Sequence, residues 1–320
     1  MKRIRFVGIV GTGSYVPPNI LTNSDLEKMV DTSDTWIVER TGIRERRVSS
    51  PETTASCLGL PASIAALQSA GVSPEDVDLI IVATSTPDMT FPSTACFIQD
   101  KIGASRAACF DLSAACTGFS YALETGQQFI ATSTYKTALI VGTEVISKVI
   151  DWTDRNTCIL FGDGAGAAVL QPVADNYGIL ATSLGADGRL ASILDLPVAG
   201  CIRMSGREVF KVAVNTMIEA VEKVLDSAKI SQEDVSLLIP HQANIRIIEA
   251  MGKRLNISQD RVFVNLQKYG NVSAGSTIIA LDEAVQQGRV GDGDIIVIVA
   301  FGGGLTWGAT VMRWGGNLPA

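Results

Sequence analysis

The sequence predicts an α/β protein made of two similar halves that pack against each other, with mixed, mostly parallel sheets. The first observation is an internal repeat, because residues 73–80 resemble residues 231–238 at an offset of 158 positions, and two later segments repeat at that offset. The second observation is that apolar runs alternate with helical patterns, which is typical of crossover connections between parallel strands. The third is size, since 320 residues that are 47% hydrophobic can form two medium-sized cores.

The elements of each half follow the same order: strand, helix, short strand, helix, strand. An apolar stripe at helical spacing predicts the second helix of the first half, and it consists of Phe119, Ala122, Leu123, Gly126 and Ile130. The other predicted elements are a first strand in residues 6–10, strands at 77–83, 107–112 and 235–239, helices at 93–102 and 244–255, and antiparallel strands at 295–300 and 305–313. We place the N-terminal half at residues 1–173 and the C-terminal half at 174–320.

The composition excludes several classes of protein. With 26 Lys and Arg against 33 Asp and Glu, the net charge of −7 argues against nucleic-acid binding. The longest apolar run, residues 295–301, is too short for a bilayer, which needs about 20 residues. The basic start at residues 1–3 precedes a glycine-interrupted stretch without a cleavage site, so we expect no secretory signal. Six dispersed cysteines predict free thiols, a cytoplasmic location and no metal site.

Cys116 is the candidate nucleophile. It lies between the predicted strand at 107–112 and the helix with the apolar stripe. A cysteine at a helix N-terminus meets the positive end of the helix dipole, which favours the thiolate. Its small neighbours Ala114, Ala115 and Gly118 leave room for a substrate. On position alone, the alternative is a small buried core cysteine.

His241 and Asn271 are the next candidates. His241 is the one histidine of the chain and follows the buried strand at 235–239, and ligands of parallel sheets bind beyond the carboxyl ends of strands. The repeat offset pairs Ala274 with Cys116, so Asn271 enters its helix where the first half has its cysteine. A structural histidine and an asparagine turn or N-cap are the alternatives. The repeat nevertheless makes a site shared between the halves plausible.

Two glycine-rich segments differ in what they predict. Residues 302–304 are consecutive glycines after an apolar strand, and such a backbone can point N–H groups at an oxyanion, although a plain turn is the alternative. Residues 8–13 do not have the G-x-G-x-x-G spacing, and Pro17 and Pro18 stop the helix that a dinucleotide loop requires. We therefore reject nicotinamide binding.

Six motifs occur in a fixed order along the chain. They are TSDTWIVERTGIR at 32–44, AACTGF at 114–119, LFGDGAGA at 160–167, PHQANIR at 240–246, GNVSAGS at 270–276 and FGGGLTWG at 301–308. In these motifs the chain resembles the β-ketoacyl-acyl-carrier-protein synthase III family of the thiolase superfamily. The resemblance covers essentially the whole chain and implies a thiolase-like, duplicated five-layer α/β/α/β/α fold, which agrees with the repeat.

The resemblance implies a decarboxylating Claisen condensation that initiates type II fatty-acid synthesis. Cys116 would attack a short acyl-CoA, with acetyl-CoA expected, and hold the acyl group. Malonyl-acyl carrier protein would then lose carbon dioxide while His241 and Asn271 stabilise the enolate. The backbone N–H groups of Cys116 and Gly303 would form the oxyanion hole. No cofactor or metal is expected, since acyl-CoA is a substrate.

The resemblance also implies binding roles outside the catalytic centre. Residues Trp36, Arg40 and Arg155 would contact CoA, and Phe91 and Leu305 would line the acyl tunnel, with Phe91 reaching across a homodimer. A basic patch of Arg246, Lys253, Arg254 and Lys211 would receive the acidic carrier protein. Leu305 stands where many relatives have an aromatic residue, so the size of the primer stays open.

Alternatives remain in two classes. One is a synthase III relative that makes a polyketide or alkylquinolone precursor with another acceptor or a larger primer. The other is a non-catalytic acyl-binding scaffold, which the intact Cys116, His241 and Asn271 disfavour. A thiolase is disfavoured because the segment 301–307 has no second cysteine, and we identify no catalytic glutamate of hydroxymethylglutaryl-CoA synthase.

Overall fold

Two β-sheets lie between three layers of helices in the computed structural model, which describes residues 5–318. The strands are β1 (Val7–Tyr15), β2 (Ile20–Thr22), β3 (Glu45–Arg47), β4 (Leu79–Ala83), β5 (Ala108–Leu112), β6 (Ala138–Glu144), β7 (Gly164–Pro172), β8 (Gly178–Ala186), β9 (Leu194–Asp195), β10 (Arg203–Met204), β11 (Leu237–Pro240), β12 (Ile295–Gly302) and β13 (Thr306–Arg313). The helices are α1 (Asn23–Leu26), α2 (Asp34–Thr41), α3 (Ala55–Ala70), α4 (Thr94–Ile102), α5 (Gly118–Ala131), α6 (Gly206–Ala228), α7 (Ile245–Arg254), α8 (Leu266–Tyr269) and α9 (Ser276–Gln286). The strands and helices predicted from the sequence are therefore confirmed, within a few residues at their ends. The N-terminal residues 1–3, which include Lys2 and Arg3, lie outside the described part of the chain.

The two sheets have related strand orders. The first is β1-β7-β6-β4-β5 and the second is β11-β12-β13-β8. Within the described residues, three of the seven strand pairs in these sheets are parallel and four are antiparallel. The sheets are thus mixed, with fewer parallel pairs than we predicted. The reason is that each half places two antiparallel neighbours beside its parallel strands. The proposed boundary after residue 173 lies between β7 and β8. In chain order, β7 is the last strand of the first sheet and β8 is the first strand of the second.

The alternation of side chains along the strands produces the five layers. In β4, Leu79 and Ile81 join the central core, while Ile80 and Val82 face the core under α3. In β12, alternate residues likewise divide between the central core and the core under α6. Helices α5 and α9 contact both sheets and form the middle layer. Because β4 and β12 are buried on both faces, each has the continuous apolar sequence seen in the printed chain. The predicted five-layer fold is confirmed. No helix among residues 5–318 is long and apolar enough to cross a membrane.

The internal repeat is visible in the backbone. The offset of 158 residues relates two 3-10 turns, Ala115–Thr117 and Ser273–Gly275, which lead into α5 and α9. The first residue of each turn is left-handed, with φ of 47° at Ala115 and 46° at Ser273. Residues other than glycine rarely adopt this conformation. The two turns therefore have the same unusual geometry, and they contact each other across the interface between the halves.

Gly142 permits the close approach of β6 to the second of these turns. A Cβ atom at Gly142 would lie 2.4 Å from the carbonyl oxygen of Ala274, closer than real contacts allow. We expect Gly142→Ala to lower the free energy of unfolding by about 1–3 kcal/mol, because a side chain forced into a filled core displaces its neighbours. Chemical denaturation measures this, with Gly188→Ala as the control, since a Cβ there meets no atom within 4 Å. Equal stability of the two variants would contradict the prediction.

Candidate active site

One cavity of about 1160 Å³ is lined by residues from both halves of the chain. Cys116 reaches it from the first half, and His241 and Asn271 reach it from the second. Cys116 lies in the first of the paired turns, Asn271 lies two residues before the second, and His241 follows the carboxyl end of β11. The wall also includes the first turns of α6, namely Gly206, Arg207, Val209, Phe210, Ala213 and Met217. The structure therefore brings the three candidate catalytic residues to a single cavity.

Cys116 lies in the 3-10 turn that precedes α5. Its side chain is 8% exposed, and the helix begins two residues later at Gly118. Burial raises the pKa of Cys116 to about 11, and the carboxylate of Glu144 adds to the rise, whereas the side chains of Ser273 and Asn271 oppose it. The thiol is therefore protonated at neutral pH. Burial thus opposes the thiolate that we predicted from the position at a helix N-terminus.

Asn271 is held on both sides by backbone hydrogen bonds. Its N–H donates to the carbonyl of Leu160 at 2.8 Å, and its carbonyl accepts from the N–H of Gly162 at 3.0 Å. Its side-chain Oδ1 accepts from the N–H of Ser273 at 2.8 Å. Because Oδ1 is occupied in this way, the orientation of the amide is set and Nδ2 is left as the donor. Asn271 can therefore donate a hydrogen bond to an oxygen in the cavity.

The residues beneath Asn271 include a buried arginine. Arg46 is fully buried, and its guanidinium donates to the carbonyl oxygens of Leu21 and Ile159 at 3.2 and 2.7 Å and to Oδ1 of Asn23 at 2.9 Å. Burial lowers the pKa of Arg46 to about 10. Ile159 immediately precedes the segment that binds the backbone of Asn271. Arg46 thus supports the loop on which the asparagine depends.

His241 follows β11 and is 5% exposed. Its backbone N–H donates to the backbone carbonyl of Val299 at 2.7 Å, which holds the residue against β12. Burial lowers the pKa of His241 to about 4, so the imidazole is neutral at neutral pH. No group among the described residues hydrogen-bonds to its buried Nδ1. A buried N–H without an acceptor is less common than a buried acceptor without a donor. We therefore assign the proton to Nε2, which makes this atom a donor.

The glycines after β12 pack against Cys116. A Cβ atom at Gly302 would lie 2.8 Å from the backbone nitrogen of Cys116, so only glycine permits this contact. Gly303 lies on the cavity wall, and a Cβ there would be 3.6 Å from the Cβ of Ala115. The backbone of the glycine loop is thus beside the backbone of the cysteine turn. Both are on the wall where an oxyanion could be bound.

Two arginine side chains lie close to one aromatic ring at the cavity. Trp36 and Arg40 line the cavity, and the guanidinium of Arg40 is 4.5 Å from the centre of the Trp36 ring. The guanidinium of Arg155 is 5.1 Å from the same ring and donates to the carbonyl of Asp31 at 2.8 Å. The structure therefore brings together the three residues that the sequence suggested for CoA. Two cations and a planar ring suit a ligand with a base and phosphates.

The predicted basic patch spans two packed helices. Arg246 lies in the first turn of α7, lines the cavity and donates to the carbonyl of Glu39 at 3.0 Å. Lys253 and Arg254 are exposed in its last turn. Arg254 hydrogen-bonds to Asn215 on α6, one helical turn after the exposed Lys211. The four cations thus belong to neighbouring surfaces of α6 and α7.

Two predicted tunnel residues do not line the cavity of this chain. Leu305 is fully buried in the core under α6, although Gly304 and Thr306 on either side of it line the cavity. Leu305 lies in the turn between β12 and β13, and there its side chain packs into the core instead. Phe91 precedes α4, is 82% exposed and is not on the cavity wall. A role of Phe91 in a tunnel therefore requires a second chain.

Sequence reasoning missed part of the site. It did not identify Ser273 or Glu144, nor the contribution of α6 to the cavity wall. One signal was available, because Glu144 is a carboxylate at the end of the apolar run that forms β6, and a buried strand rarely ends in an unpaired charge. The wall formed by α6 has no comparable signal.

Comparisons with known proteins cover both halves of the chain. A family model described as 3-oxoacyl-[acyl-carrier-protein] synthase III matches residues 110–188, and the model of the C-terminal part of that family matches residues 225–314. The first range includes Cys116, and the second includes His241 and Asn271.

Individual relatives match nearly the whole chain. The β-ketoacyl-[acyl-carrier-protein] synthase III of Desulfitobacterium hafniense is 55% identical to this chain, and the match covers 96% of this chain and 98% of the relative. The crystal structure of 3-oxoacyl-[acyl-carrier-protein] synthase III from Aquifex aeolicus is 52% identical with a TM-score of 0.95, covering 96% of this chain and 100% of that chain. The priming β-ketosynthase of the R1128 polyketide pathway is 35% identical with a TM-score of 0.94, covering 99% of each chain.

Proposed function

Because the chain belongs to the 3-oxoacyl-[acyl-carrier-protein] synthase III family, we propose that it catalyses the initiating condensation of fatty-acid synthesis. The reaction joins a short acyl-CoA to malonyl-acyl carrier protein. The observation that carries the proposal is the meeting of Cys116, His241 and Asn271 in one cavity.

The first step transfers an acyl group to the cysteine. The sulfur of Cys116 attacks the thioester carbon of acyl-CoA, the bond from that carbon to the CoA sulfur breaks, and the thiol proton leaves with CoA. The backbone N–H groups of Cys116 and Gly303 are proposed to bind the oxyanion of this step. Because the thiol of Cys116 is protonated at neutral pH, it must lose its proton as the new bond forms.

The second step forms the carbon–carbon bond. Malonyl-acyl carrier protein loses carbon dioxide, and the electron pair of the broken bond forms an enolate. Neutral His241 and the amide of Asn271 are proposed to donate hydrogen bonds to the enolate oxygen. The enolate carbon attacks the carbonyl carbon of the acyl-cysteine, and the bond from that carbon to the sulfur of Cys116 breaks. The β-ketoacyl thioester of the carrier protein is released, and the Cys116 sulfur leaves with the electron pair and takes up a proton from solvent. A neutral imidazole suits this role, because it donates without presenting a full charge that would hold the substrate carboxylate.

Peptide mass spectrometry tests the proposal. After brief incubation with acetyl-CoA, we expect an acetyl group on the Cys116 peptide alone, and we expect malonyl-acyl carrier protein to remove it as a β-ketoacyl product. An adduct formed only with longer acyl-CoA would keep the mechanism and change the primer. Absence of any adduct would favour the acyl-binding scaffold instead. Failure with malonyl-acyl carrier protein despite acylation would favour a specialised synthase such as a polyketide-priming enzyme.

The stack of Trp36, Arg40 and Arg155 is the proposed site for the nucleotide of CoA. We expect Arg155→Ala to raise KM for acyl-CoA by about 3- to 10-fold, since a cation over an aromatic ring contributes about 0.5–1 kcal/mol or more. The KM for malonyl-acyl carrier protein should not change. Arg106→Ala is a matched control, because Arg106 is also exposed and also donates to a backbone carbonyl, that of Glu75. Equal effects of the two substitutions on the KM for acyl-CoA would contradict this assignment.

The basic surface of α6 and α7 is the proposed docking site of the carrier protein. We expect Lys253→Glu to raise KM for malonyl-acyl carrier protein by about tenfold at low salt, and high salt should reduce the difference because it screens exposed charges. Lys223→Glu makes the same charge change elsewhere on α6 and is the control. If both variants keep the parental KM, the carrier protein docks elsewhere.

A homodimer is proposed through the edge of the first sheet. Strand β5 ends the strand order, so one of its edges has no neighbouring strand among residues 5–318. The loop before α4 exposes 48% of Met89 and 82% of Phe91, and α4 itself contacts β5. Open edges and exposed apolar side chains favour pairing with a second copy. Sedimentation velocity at micromolar concentration should show a dimer that Phe91→Asp weakens, and a monomer would contradict the proposal. The cytoplasmic location stays a prediction from the six cysteines, all of which are free.

A further inference from the structure

Glu144 is a buried carboxylate that the mechanism above does not use. It ends β6, and its side chain is fully buried. None of the ion pairs among residues 5–318 includes it. A buried charge is unfavourable unless hydrogen bonds compensate it. The groups that bind its oxygens therefore indicate what it does.

The surroundings of Glu144 consist of donors. The N–H of Ser85 lies 3.1 and 3.0 Å from the two carboxylate oxygens, and the hydroxyl of Thr86 donates at 2.7 Å. The N–H of Val145 donates to Oγ1 of Thr86 at 2.9 Å. Because Oγ1 accepts there, the hydroxyl proton of Thr86 points toward Glu144. Burial raises the pKa of Glu144, and these hydrogen bonds oppose the rise. The arrangement fits a carboxylate held at a fixed position.

One further donor, Ser273, connects Glu144 to the cavity. The Ser273 hydroxyl donates to Glu144 at 3.0 Å, and Ser273 lines the cavity. Its N–H donates to Oδ1 of Asn271, and its side chain lies beside the sulfur of Cys116. Ser273 is also one of the two left-handed turn residues, a conformation that surrounding contacts must maintain. Glu144 binds both the Ser273 side chain and the next N–H, that of Ala274.

The repeat shows that this contact exists in only one half of the site. The offset of 158 residues relates Glu144 to Gly302 and Ser273 to Ala115. Gly302 contacts the backbone of Cys116 and has no side chain to offer. At the equivalent position beside Ser273, the first half has the carboxylate of Glu144. A polar side chain therefore holds the turn of Asn271, whereas glycine backbone packs against the turn of Cys116.

We infer that Glu144 is a positioning residue for the decarboxylating half-reaction, in which it holds Ser273 and thereby the donor amide of Asn271. The inference rests on the proposed function, because it assumes that Asn271 donates to the enolate. The inference predicts that a substitution of Glu144 slows condensation more than acylation. Acylation depends on Cys116 and Gly303, whereas condensation also depends on the position of Asn271.

Separate measurement of the two half-reactions tests this role. Acylation is followed by rapid quench and mass spectrometry after mixing with acetyl-CoA. Condensation is followed by mixing preformed acetyl-enzyme with malonyl-acyl carrier protein. We expect Glu144→Gln to slow condensation by about 10- to 100-fold, with acylation within about 3-fold of the parent and an unchanged KM for the carrier substrate, because a misplaced donor costs part of its full contribution. Ser273→Ala should also slow condensation, since it removes the link and leaves Glu144 in place. Because the Ser273 side chain also lies beside the sulfur of Cys116, the selectivity between the two half-reactions is judged on Glu144→Gln.

Asp282→Asn is the matched control. Asp282 is also a buried carboxylate that accepts from hydroxyl groups, those of Thr12 and Ser14, but it is not on the cavity wall. We expect the control to leave both half-reactions near their parental rates. The inference is overturned if Glu144→Gln and Ser273→Ala leave condensation unchanged, or if Glu144→Gln slows acylation as much as condensation. A parent enzyme that forms no acetyl-cysteine would instead contradict the proposed function.

Discussion

Cys116→Ala is expected to abolish acylation and to lower the rate of condensation by at least about 10⁴-fold, which is the scale of effect when a covalent nucleophile is removed. Cys116 is the cysteine of the described chain that lines the cavity, so no neighbouring thiol can replace it. The loss should appear in the formation of the acyl-enzyme and not in the binding of acyl-CoA. Mass spectrometry of the quenched enzyme and a binding isotherm for acyl-CoA separate the two.

Cys158→Ala is the control for this substitution. Cys158 is buried as well, and burial raises its pKa to about 11, as it does for Cys116, but Cys158 itself is not on the cavity wall. We expect this variant to lose some stability and to keep its activity. If Cys116→Ala were still acylated, or if Cys158→Ala were as inactive as Cys116→Ala, the assignment of the nucleophile would be wrong.

Removal of a donor to the enolate should produce the second largest effect. We expect Asn271→Asp to slow condensation by about 10²–10³-fold, the usual result of losing one such donor. Aspartate retains an oxygen that can accept from the N–H of Ser273, so the turn is preserved while the donor is replaced by an acceptor. His241→Ala should have an effect of similar size, because Nε2 is the second proposed donor.

Acylation provides the internal control for these variants. Single-turnover acylation by acetyl-CoA should remain within a few-fold of the parent in His241→Ala, because the histidine is not assigned to that step. Asn271→Asp should slow acylation less than condensation, since it replaces a hydrogen bond to the Cys116 thiol by a carboxylate. The release of carbon dioxide from malonyl-acyl carrier protein should fall together with condensation. If carbon dioxide release persisted at the parental rate in both variants, the enolate would be stabilised by other groups.

Much of the fold and the catalytic centre could be predicted because both follow from local patterns. The continuous apolar runs of β4, β6, β11 and β12 reflect burial on both faces, and the repeat offset located the turn of Asn271 from that of Cys116. Nearly all the candidates for chemistry lie in short motifs at the ends of these elements. Such positions are visible in a sequence because they interrupt an otherwise apolar pattern.

The remaining features depend on contacts between distant segments. The link from Glu144 to Ser273 joins residues 129 positions apart, and no local pattern specifies it. The pKa of Cys116 is raised chiefly by burial, and the extent of that burial cannot be read from a position at a helix N-terminus. Leu305 could not be assigned to the core or the cavity until the direction of each side chain after the glycine loop was known.

The paired left-handed turns have a consequence for how such a site can vary. If two identical chains formed the same interface, each substitution would appear on both sides of the symmetry axis, and Cys116 would face a second cysteine at the place of Ala274. Joining both copies in one polypeptide removes that constraint. Each copy can then change independently, so one keeps the nucleophile while the other supplies hydrogen-bond donors. The chain thus has one asymmetric reaction centre on a nearly symmetric scaffold, and a substitution on one side of the pseudo-twofold axis is not repeated on the other.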